Sequence, residues 1–377
     1  MKIAVLVKRF ILSGGAERYA VEVTRRLKAR GHEIHIYARS VDESALAGMQ
    51  HIKVPNKHTY ASVANSLSFA REAAQLLAGK QYDIIHSHER GYRQDVLTVH
   101  TFSYKSGLDR YSWIRRMDQK YLSPRSWIYL WLEKRQMTSP RLVAVSPLIR
   151  EDIKNYYQRT KGVQVIPPGV DVDWFHPDRI AECRARNNAQ PGTVSNDLTV
   201  LFVGSEFRRK GLDHLIPAIG DKMRLLIVGR GEHLEQYRKL AASCGASKRV
   251  EFVGHVDGDM RKYYALADVV VLPSLREAFG MSILEAMACG LPVVVSPAAG
   301  VAYLIEEGRT GFLAGEAGAL HGALLRLQDG TLRKDMGRLA RLVAEEYSWD
   351  RAAAAYDEVF SDVLNTRKAA SKRTVAR

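Results

Sequence analysis

Two glutamates eight positions apart, Glu277 and Glu285, mark the stretch of this chain with the clearest chemical content: Pro273-Ser274-Leu275-Arg276-Glu277-Ala278-Phe279-Gly280-Met281-Ser282-Ile283-Leu284-Glu285-Ala286. The pattern places Glu277 just after a strand and Glu285 inside the next helix. Eight residues at a rise of about 1.5 Å span roughly 12 Å. An ordinary double-displacement pair needs its carboxylates about 5 Å apart, so that chemistry is excluded. The spacing suits two carboxylates gripping hydroxyls at opposite ends of one elongated ligand, with Gly280 leaving room for it; ordinary helix-capping charge is the competing account. A second segment, Gly204-Ser205-Glu206-Phe207-Arg208-Arg209-Lys210-Gly211, sets three consecutive cations between a strand end and a helix start. Arginine brings forked donors and lysine a point charge, a set that suits a diphosphate as well as a solvated basic loop. At the corresponding place near the N-terminus, Ser13-Gly14-Gly15-Ala16-Glu17-Arg18 offers two glycines that let backbone approach an anion at a helix N-terminus, or simply a tight turn.

Other candidates divide the same way. His86, His88 and His100 fall near strand ends and serve either a site or a satisfied core. Asp257-Gly258-Asp259 has the Asp-x-Asp look of a metal motif, but it precedes a helix and fits a turn with an N-cap better. Cys183, Cys244 and Cys289 are scattered, with neither a CxxC pair nor a histidine at ligand spacing. They fit structural thiols of a reducing compartment, and no metal or other cofactor is expected.

The elements that must position these residues alternate along the chain. Short apolar runs at 3–7, 34–38, 52–54, 84–86, 96–99, 142–145 and 163–166 predict strands, with helices at 16–30 and near 63–77. Tyr19, Val23 and Leu27 repeat every four residues, and Gly31 suits a helix C-terminus. Pro167-Pro168-Gly169 interrupts the pattern, and the polar stretch 181–197 is expected to be a loop. Strands then resume at 198–203, 224–228, 250–253, 269–272 and 293–295, and a last helix is expected near 351–364. Such alternation predicts an α/β fold of two doubly wound parallel-sheet domains, with ligands outside the carboxyl ends of the strands and a cleft between the domains as the default site. The expected division is 1–168, 169–350, a terminal helix 351–365 packing back toward the first domain, and a basic tail 366–377. The apolar run 3–7 stops at Lys8-Arg9 and fits a buried strand better than a signal peptide; no run approaches the 18 or so residues that span a bilayer.

The 377 residues are 46% hydrophobic and 26% charged, which excludes a disordered chain or a small disulfide scaffold. Net charge is +15, unevenly spread: +14 up to residue 168, −4 over 169–365 and +5 over the last twelve residues. An anionic partner is implied for the first half. Within it, the segment 104–135 combines Lys105, Arg110, Arg115, Arg116, Lys120, Arg125, Lys134 and Arg135 with Trp113, Trp127 and Trp131. Amphipathic rings among cations suit an anionic membrane interface; a helix packing its rings inward is the alternative. No nucleic-acid-binding motif accompanies the charge, which leaves a nucleic-acid binder as the reading from a different class.

Taken together, the Gly-Gly-Ala-Glu-Arg turn, Asp83-Ile84-Ile85-His86-Ser87-His88, Pro167-Pro168-Gly169-Val170-Asp171, Tyr264-Ala265-Leu266-Ala267-Asp268 and the Glu-x7-Glu of Glu277 and Glu285 resemble the family-4 retaining glycosyltransferases of GT-B fold over nearly the whole chain. The resemblance implies that Glu277 contacts a donor sugar and acts with His100 at the reacting centre. It implies that Glu285 holds the ribose, with Phe279 and Gly280 beside it, and that Arg209, Lys210 and Gly15 hold the donor diphosphate. Ser205 departs from the family, many of whose members have arginine there; Arg209 is the expected substitute, as in the similar Gly-Ser-Asp/Glu-Phe-x-Arg-Lys-Gly pattern of lipopolysaccharide core glucosyltransferases. Those enzymes carry a basic aromatic segment at a similar place, which makes Trp113, Arg115, Arg116, Trp127 and Trp131 the expected membrane or acceptor contacts. The implied activity is metal-independent, retaining transfer of a hexose, with UDP-glucose the implied donor, to a lipopolysaccharide core or related lipid-linked glycan. Capsule or exopolysaccharide synthesis is the alternative within the class. The implied partners are a nucleotide-sugar, an anionic glycolipid acceptor and an anionic membrane surface, for a cytoplasmic enzyme bound peripherally at the inner face of the cytoplasmic membrane.

Overall fold

The computed structural model describes residues 1–56, 62–109, 123–187, 197–256 and 258–375. The chain divides into two compact units, Met1–Pro168 with Trp349–Arg377, and Gly169–Ser348.

In the first unit the strands are β1 (Lys2–Leu6), β2 (Arg9–Phe10), β3 (Glu33–Ala38), β4 (Ser40–Val41), β5 (Gln50–Lys53), β6 (Ile84–Ser87), β7 (Val96–Val99), β8 (Arg141–Ala144) and β9 (Val163–Val165). The helices are α1 (Gly15–Ala29), α2 (Glu43–Leu46), α3 (Ser62–Leu76), α4 (Tyr104–Leu108), α5 (Pro124–Gln136) and α6 (Pro147–Tyr157). Seven strands form one sheet in the order β5-β3-β1-β6-β7-β8-β9, every neighbouring pair parallel, and β2 pairs with β4 alone. Helices on both faces explain why Ile3, Ala4, Val5 and Leu6 are all buried instead of alternating. The apolar stripe of α1 is buried at Tyr19, Val23 and Leu27, and Gly31 follows its end at φ 91°.

The second unit contains α7 (Pro177–Asn187), β10 (Leu198–Val203), α8 (Leu212–Leu215), β11 (Met223–Val228), α9 (Leu234–Ser243), β12 (Val250–Gly254), α10 (Arg261–Leu266), β13 (Val269–Leu272), α11 (Met281–Ala288), β14 (Val293–Val295), β15 (Gly311–Leu313), α12 (Ala317–Arg326) and α13 (Gly330–Glu345). Its parallel sheet runs β12-β11-β10-β13-β14-β15. In both sheets the chain works outward from a central strand in one direction and then reverses. The connections after β10 and β13 therefore diverge on either side of a crevice at the carboxyl ends of adjacent strands, where doubly wound folds bind ligands.

Two stretches differ from the sequence expectation. Residues 181–187, expected in a loop, belong to α7: Ile180 is buried, and Arg184 donates to the carbonyls of Ala265 (2.8 Å) and Ala267 (3.0 Å). The last helix, α14 (Trp349–Val375), runs on through most of the basic tail, whose alanines, lysines and arginines are good helix formers. It packs on the first unit through buried Trp349, Tyr356 and Phe360, with Asp357 accepting from His32 Nε2 at 2.7 Å and Asp362 from Arg141 Nε at 2.7 Å. Arg367, a tail cation, is paired with Asp95 and donates to the Asp83 carbonyl at 2.7 Å. Among the described residues no helix is long and apolar enough to cross a membrane.

Candidate functional site

The loop after β10 and the loop after β13 meet in the second unit. Gly211 sits at φ 78° against the Pro273 carbonyl, where a Cβ would collide, so only glycine lets the two loops close. Leu275 N donates to the Arg209 carbonyl at 2.9 Å, and Arg209 Nη1 donates to the Arg276 carbonyl at 2.7 Å. Glu277 is fixed through its backbone, its N–H donating to the Ala298 carbonyl (3.1 Å) and its carbonyl accepting from Gly300 N (2.9 Å). Its carboxylate then lies 3.1 Å from Arg209 Nη1 and 3.4 Å from Lys210 Nζ. Arg209 also pairs with Glu206, which holds a left-handed φ of 58°.

The result is a compact group of Glu206, Arg209, Lys210 and Glu277. Burial pushes the Glu277 carboxyl up, but Lys210 and then Arg209 outweigh it and hold the group below the usual carboxylate range. Burial lowers the Arg209 pKa, and Glu277 and Glu206 together more than restore it. Two cations held by carboxylates at the carboxyl ends of β10 and β13 form a donor set of the kind that receives the oxygens of a diphosphate. Sequence reasoning missed Glu206 as a member of this group; its i, i+3 spacing to Arg209 was the available signal.

The remaining residues of the Glu-x7-Glu stretch lie on or just before α11. Glu285, 8% exposed on α11, accepts from Tyr264 Oη at 2.7 Å. The Phe279 ring, expected near the donor, belongs to the core and is 4% exposed, so any ligand contact falls to its backbone. Gly280 sits at φ 108°. A Cβ there would come 2.8 Å from Leu272 Cδ2 and 3.2 Å from Val301 Cγ1, so the glycine serves close packing at the start of α11. Asp259 forms a local turn with Arg261, whose N–H it accepts at 3.0 Å, while Asp257 lies outside the described residues. Among the described residues no group of His, Cys, Asp and Glu could hold a metal ion.

In the first unit the carboxyl ends of β6 and β7 carry the histidines. A chain of hydroxyls fixes the protons of one of them. The Ile166 carbonyl can only accept, so Tyr19 Oη donates to it at 2.9 Å. Tyr356 Oη, 3.1 Å away, must then donate to Tyr19, and Thr98 Oγ1, 2.6 Å away, to Tyr356. Thr98 is left to accept at 2.8 Å from His86 Nε2–H. His86 Nδ1, buried and without a partner among the described residues, therefore carries the lone pair. The same reasoning applies to His88, whose Nε2 is buried without a partner among the described residues. An orphaned lone pair is less costly than an orphaned N–H, so Nδ1–H of His88 donates to His100 Nε2 at 2.9 Å. His100 then carries its own proton on Nδ1. Burial pushes His86 and His100 down to about 3, with His100 a second cause for His86, and pushes His88 well down. All three imidazoles are neutral at physiological pH.

Gly15 begins α1, exposed, with Gly14 as the N-terminal cap at φ 88° and no side-chain cap; Glu17 folds back over Gly14 to pair with Arg9. Trp127 and Trp131 are 56% and 51% exposed on α5, so these rings do not pack inward. Trp113, Arg115 and Arg116 lie outside the described residues. Sequence reasoning missed Thr98 and Tyr356, because a hydrogen-bonding role for a core tyrosine 258 positions from its partner leaves no local signal.

Residues 13–174 match the family model described as Glycosyltransferase Family 4, and residues 184–343 the one described as Glycosyl transferases group 1. A D-inositol 3-phosphate glycosyltransferase from Geodermatophilus obscurus is 28% identical over 96% of this chain and 88% of its own length. Among solved structures, WaaG, a glycosyltransferase involved in lipopolysaccharide biosynthesis, superposes with a TM-score of 0.81 at 21% identity, over 95% of this chain and 99% of its own. Anabaena Alr3699/HepE in complex with UDP-glucose gives a TM-score of 0.74 at 20% identity, over 96% and 100%. With two family models in tandem over sheets of the matching topology, the chain belongs to the group 1 glycosyltransferases of GT-B fold.

Proposed function

We propose that this enzyme transfers a hexose, glucose in the first instance, from a nucleoside diphosphate sugar to a lipopolysaccharide core or related lipid-linked glycan, with retention and without a metal, while bound peripherally at the inner face of the cytoplasmic membrane. The observation that carries the donor half is the Arg209–Glu277–Lys210 group at the carboxyl ends of β10 and β13. The UDP-glucose complex of the HepE neighbour supports the choice of donor, and the subject of the WaaG structure supports the choice of acceptor. In the reaction the acceptor hydroxyl oxygen bonds to the anomeric carbon on the face the diphosphate leaves, the bond from that carbon to the diphosphate oxygen breaks, and the acceptor's proton passes to the departing phosphate. Arg209 and Lys210 stabilise the charge growing on the phosphate. Glu277 holds both cations and accepts from a sugar hydroxyl, Glu285 accepts from the ribose, and His100 Nδ1–H donates to the transferred sugar.

A second acceptor class is favoured by the relative named for D-inositol 3-phosphate. Purified enzyme incubated with a panel of nucleotide-sugars, and with core oligosaccharide or inositol 3-phosphate as acceptor, separates the two. Release of nucleoside diphosphate that depends on core oligosaccharide supports the first reading; dependence on inositol 3-phosphate replaces it; release with neither refutes both.

A further inference from the structure

A second cationic group lies at the amino ends of inner strands of the first unit's sheet. Tyr92 and Gln94 precede β7, and Thr138, Ser139 and Pro140 precede β8, so they gather at the amino ends of these strands. His88 and His100 follow the carboxyl ends, about one strand length, roughly 13 Å, away. There a cavity of about 450 Å³ is lined by Tyr92, Trp131, Lys134, Arg135 and Thr138 together with Gln94, Ser139 and Pro140.

The last turn of a helix commonly gathers cations against its negative end, and that alone accounts for lysine and arginine at the end of α5. It does not account for their arrangement. The Arg135 guanidinium lies 5.2 Å from the Tyr92 ring centroid and 5.8 Å from that of Trp131, while the two rings meet edge to face at 5.9 Å. Its orientation is therefore set by two rings, and among the described residues neither it nor Lys134 has an acidic partner. By contrast, Arg209, Lys210 and Arg367 in the same chain are each paired with a carboxylate. An oriented, uncompensated guanidinium beside an ammonium is the donor set that recognises a phosphate oxyanion by forked hydrogen bonds. The Thr138 hydroxyl donates to the Arg135 carbonyl at 2.7 Å and keeps its lone pairs for a hydroxyl on the ligand. Trp127, Trp131 and Arg135 follow one another at i, i+4, i+8, so two exposed tryptophans run along α5 to the cavity. Amphipathic rings leading to a phosphate cradle match the boundary between headgroups and acyl chains.

We propose that the Tyr92–Trp131–Lys134–Arg135 cavity binds the phosphate of an anionic lipid headgroup and so docks the first unit on the membrane at a defined point. This rests on the membrane reading above and adds a specific site to it. The test uses the full chain and sedimentation with phosphatidylcholine vesicles, plain or containing phosphatidylglycerol, at about 150 mM salt. Wild type should bind the anionic vesicles at least tenfold more tightly than the neutral ones. Arg135→Ala should lose at least tenfold and Arg135→Lys, which keeps charge but not the fork, at least threefold. Arg150→Ala, an exposed cation on α6, should stay within twofold, and all variants should bind nucleotide-sugar and unfold as wild type does. Equal losses for Arg135→Ala and Arg150→Ala overturn the cavity while leaving the membrane reading intact, since charge alone then explains binding. Failure of wild type to prefer anionic vesicles overturns the membrane reading itself. Tryptophan fluorescence with glycerol 1-phosphate separates the sources: saturation by the soluble ester without any vesicle preference overturns the lipid assignment.

Discussion

The hydroxyl chain beneath the histidines makes a prediction sharp enough to fail. Tyr356→Phe removes one oxygen at a site where Tyr19, Thr98, Tyr356 and His86 are each no more than 2% exposed. Its hydroxyl accepts from Thr98 and donates to Tyr19. Without it, the Thr98 O–H has no acceptor. The hydroxyl can turn toward His86 Nε2 only if that nitrogen gives up its proton, which would then sit on the orphaned Nδ1. No rearrangement satisfies every donor, so one buried N–H or O–H stays unmet, at a cost of about 1–3 kcal/mol. For a unit of this size each kcal/mol lowers Tm by about 2–4 °C, so calorimetry should show the first unit melting about 4–8 °C lower for a loss near 2 kcal/mol. Thr98→Val separates this logic from ordinary loss of packing. It removes the donor that Tyr356→Phe strands and leaves His86 Nε2–H as the orphan, so adding Tyr356→Phe to Thr98→Val should cost less than about half of what it costs alone. Imidazole nitrogen shifts provide a second readout: His86 should be the Nε2–H tautomer in wild type. Additive losses in the double variant, or an Nδ1–H tautomer in wild type, refute the directional chain.

Acid should act through the same cluster. The folded pKa of His86 is depressed to about 3 against an ordinary 6.5, so the unfolded chain binds the extra proton and stability is lost as pH falls from 6.5 toward 3. At pH 5.5 that amounts to on the order of 1 kcal/mol from His86, and His86→Gln should remove about one proton from the pH dependence of unfolding. Glu277→Gln should leave Arg209 and Lys210 without their shared carboxylate. With Arg209 partly exposed, the stability cost should be about 1–3 kcal/mol, whereas the rate of sugar transfer at saturating donor should fall at least a hundredfold. Wild-type turnover in that variant would remove Glu277 from the site. Gly211→Ala forces a Cβ onto the Pro273 carbonyl at a positive φ. It should cost roughly 1–3 kcal/mol in the second unit and weaken nucleoside diphosphate binding measured by calorimetry, without altering the melting of the first unit. Unchanged affinity would show that the cationic loop does not depend on that close approach.

What the sequence made legible was whatever is carried by contiguous residues. Runs such as Val269-Val270-Val271-Leu272 identify strands buried on both faces, and two rounds of alternation identify two doubly wound sheets. The cationic loop and Glu277 were visible for the same reason, each lying at the end of such a run. Periodicity was a poorer guide where polar helices were concerned: α7 and the end of α14 are rich in residues that favour helix without showing a broad apolar face. Within a contiguous motif, membership did not fix direction either. Glu277 faces the cations, while two residues on, Phe279 enters the core and Gly280 is pressed against Leu272 and Val301. The proton order of the histidines was illegible because it depends on Tyr19, Thr98 and Tyr356, which only the fold brings together.

Charge shows most clearly why pairing, and not composition, sets the field at a site. The three cations at 208–210 stand out in the sequence, yet Arg209 and Lys210 are balanced in the structure by Glu206 and Glu277, leaving that group of four formally neutral. In the proposed reaction, a leaving diphosphate would draw the cations partly away from carboxylates that already hold them, limiting how tightly the product is retained while keeping the donors in position for the charge that appears during transfer. At the end of α5 the opposite holds. Lys134 and Arg135 are only two of the 28 cations before residue 169, but among the described residues no carboxylate answers them, and aromatic rings fix where Arg135 sits. A neutralised pair suits a ligand that must come and go with each turnover, and an uncompensated one suits an anion that stays while the enzyme works.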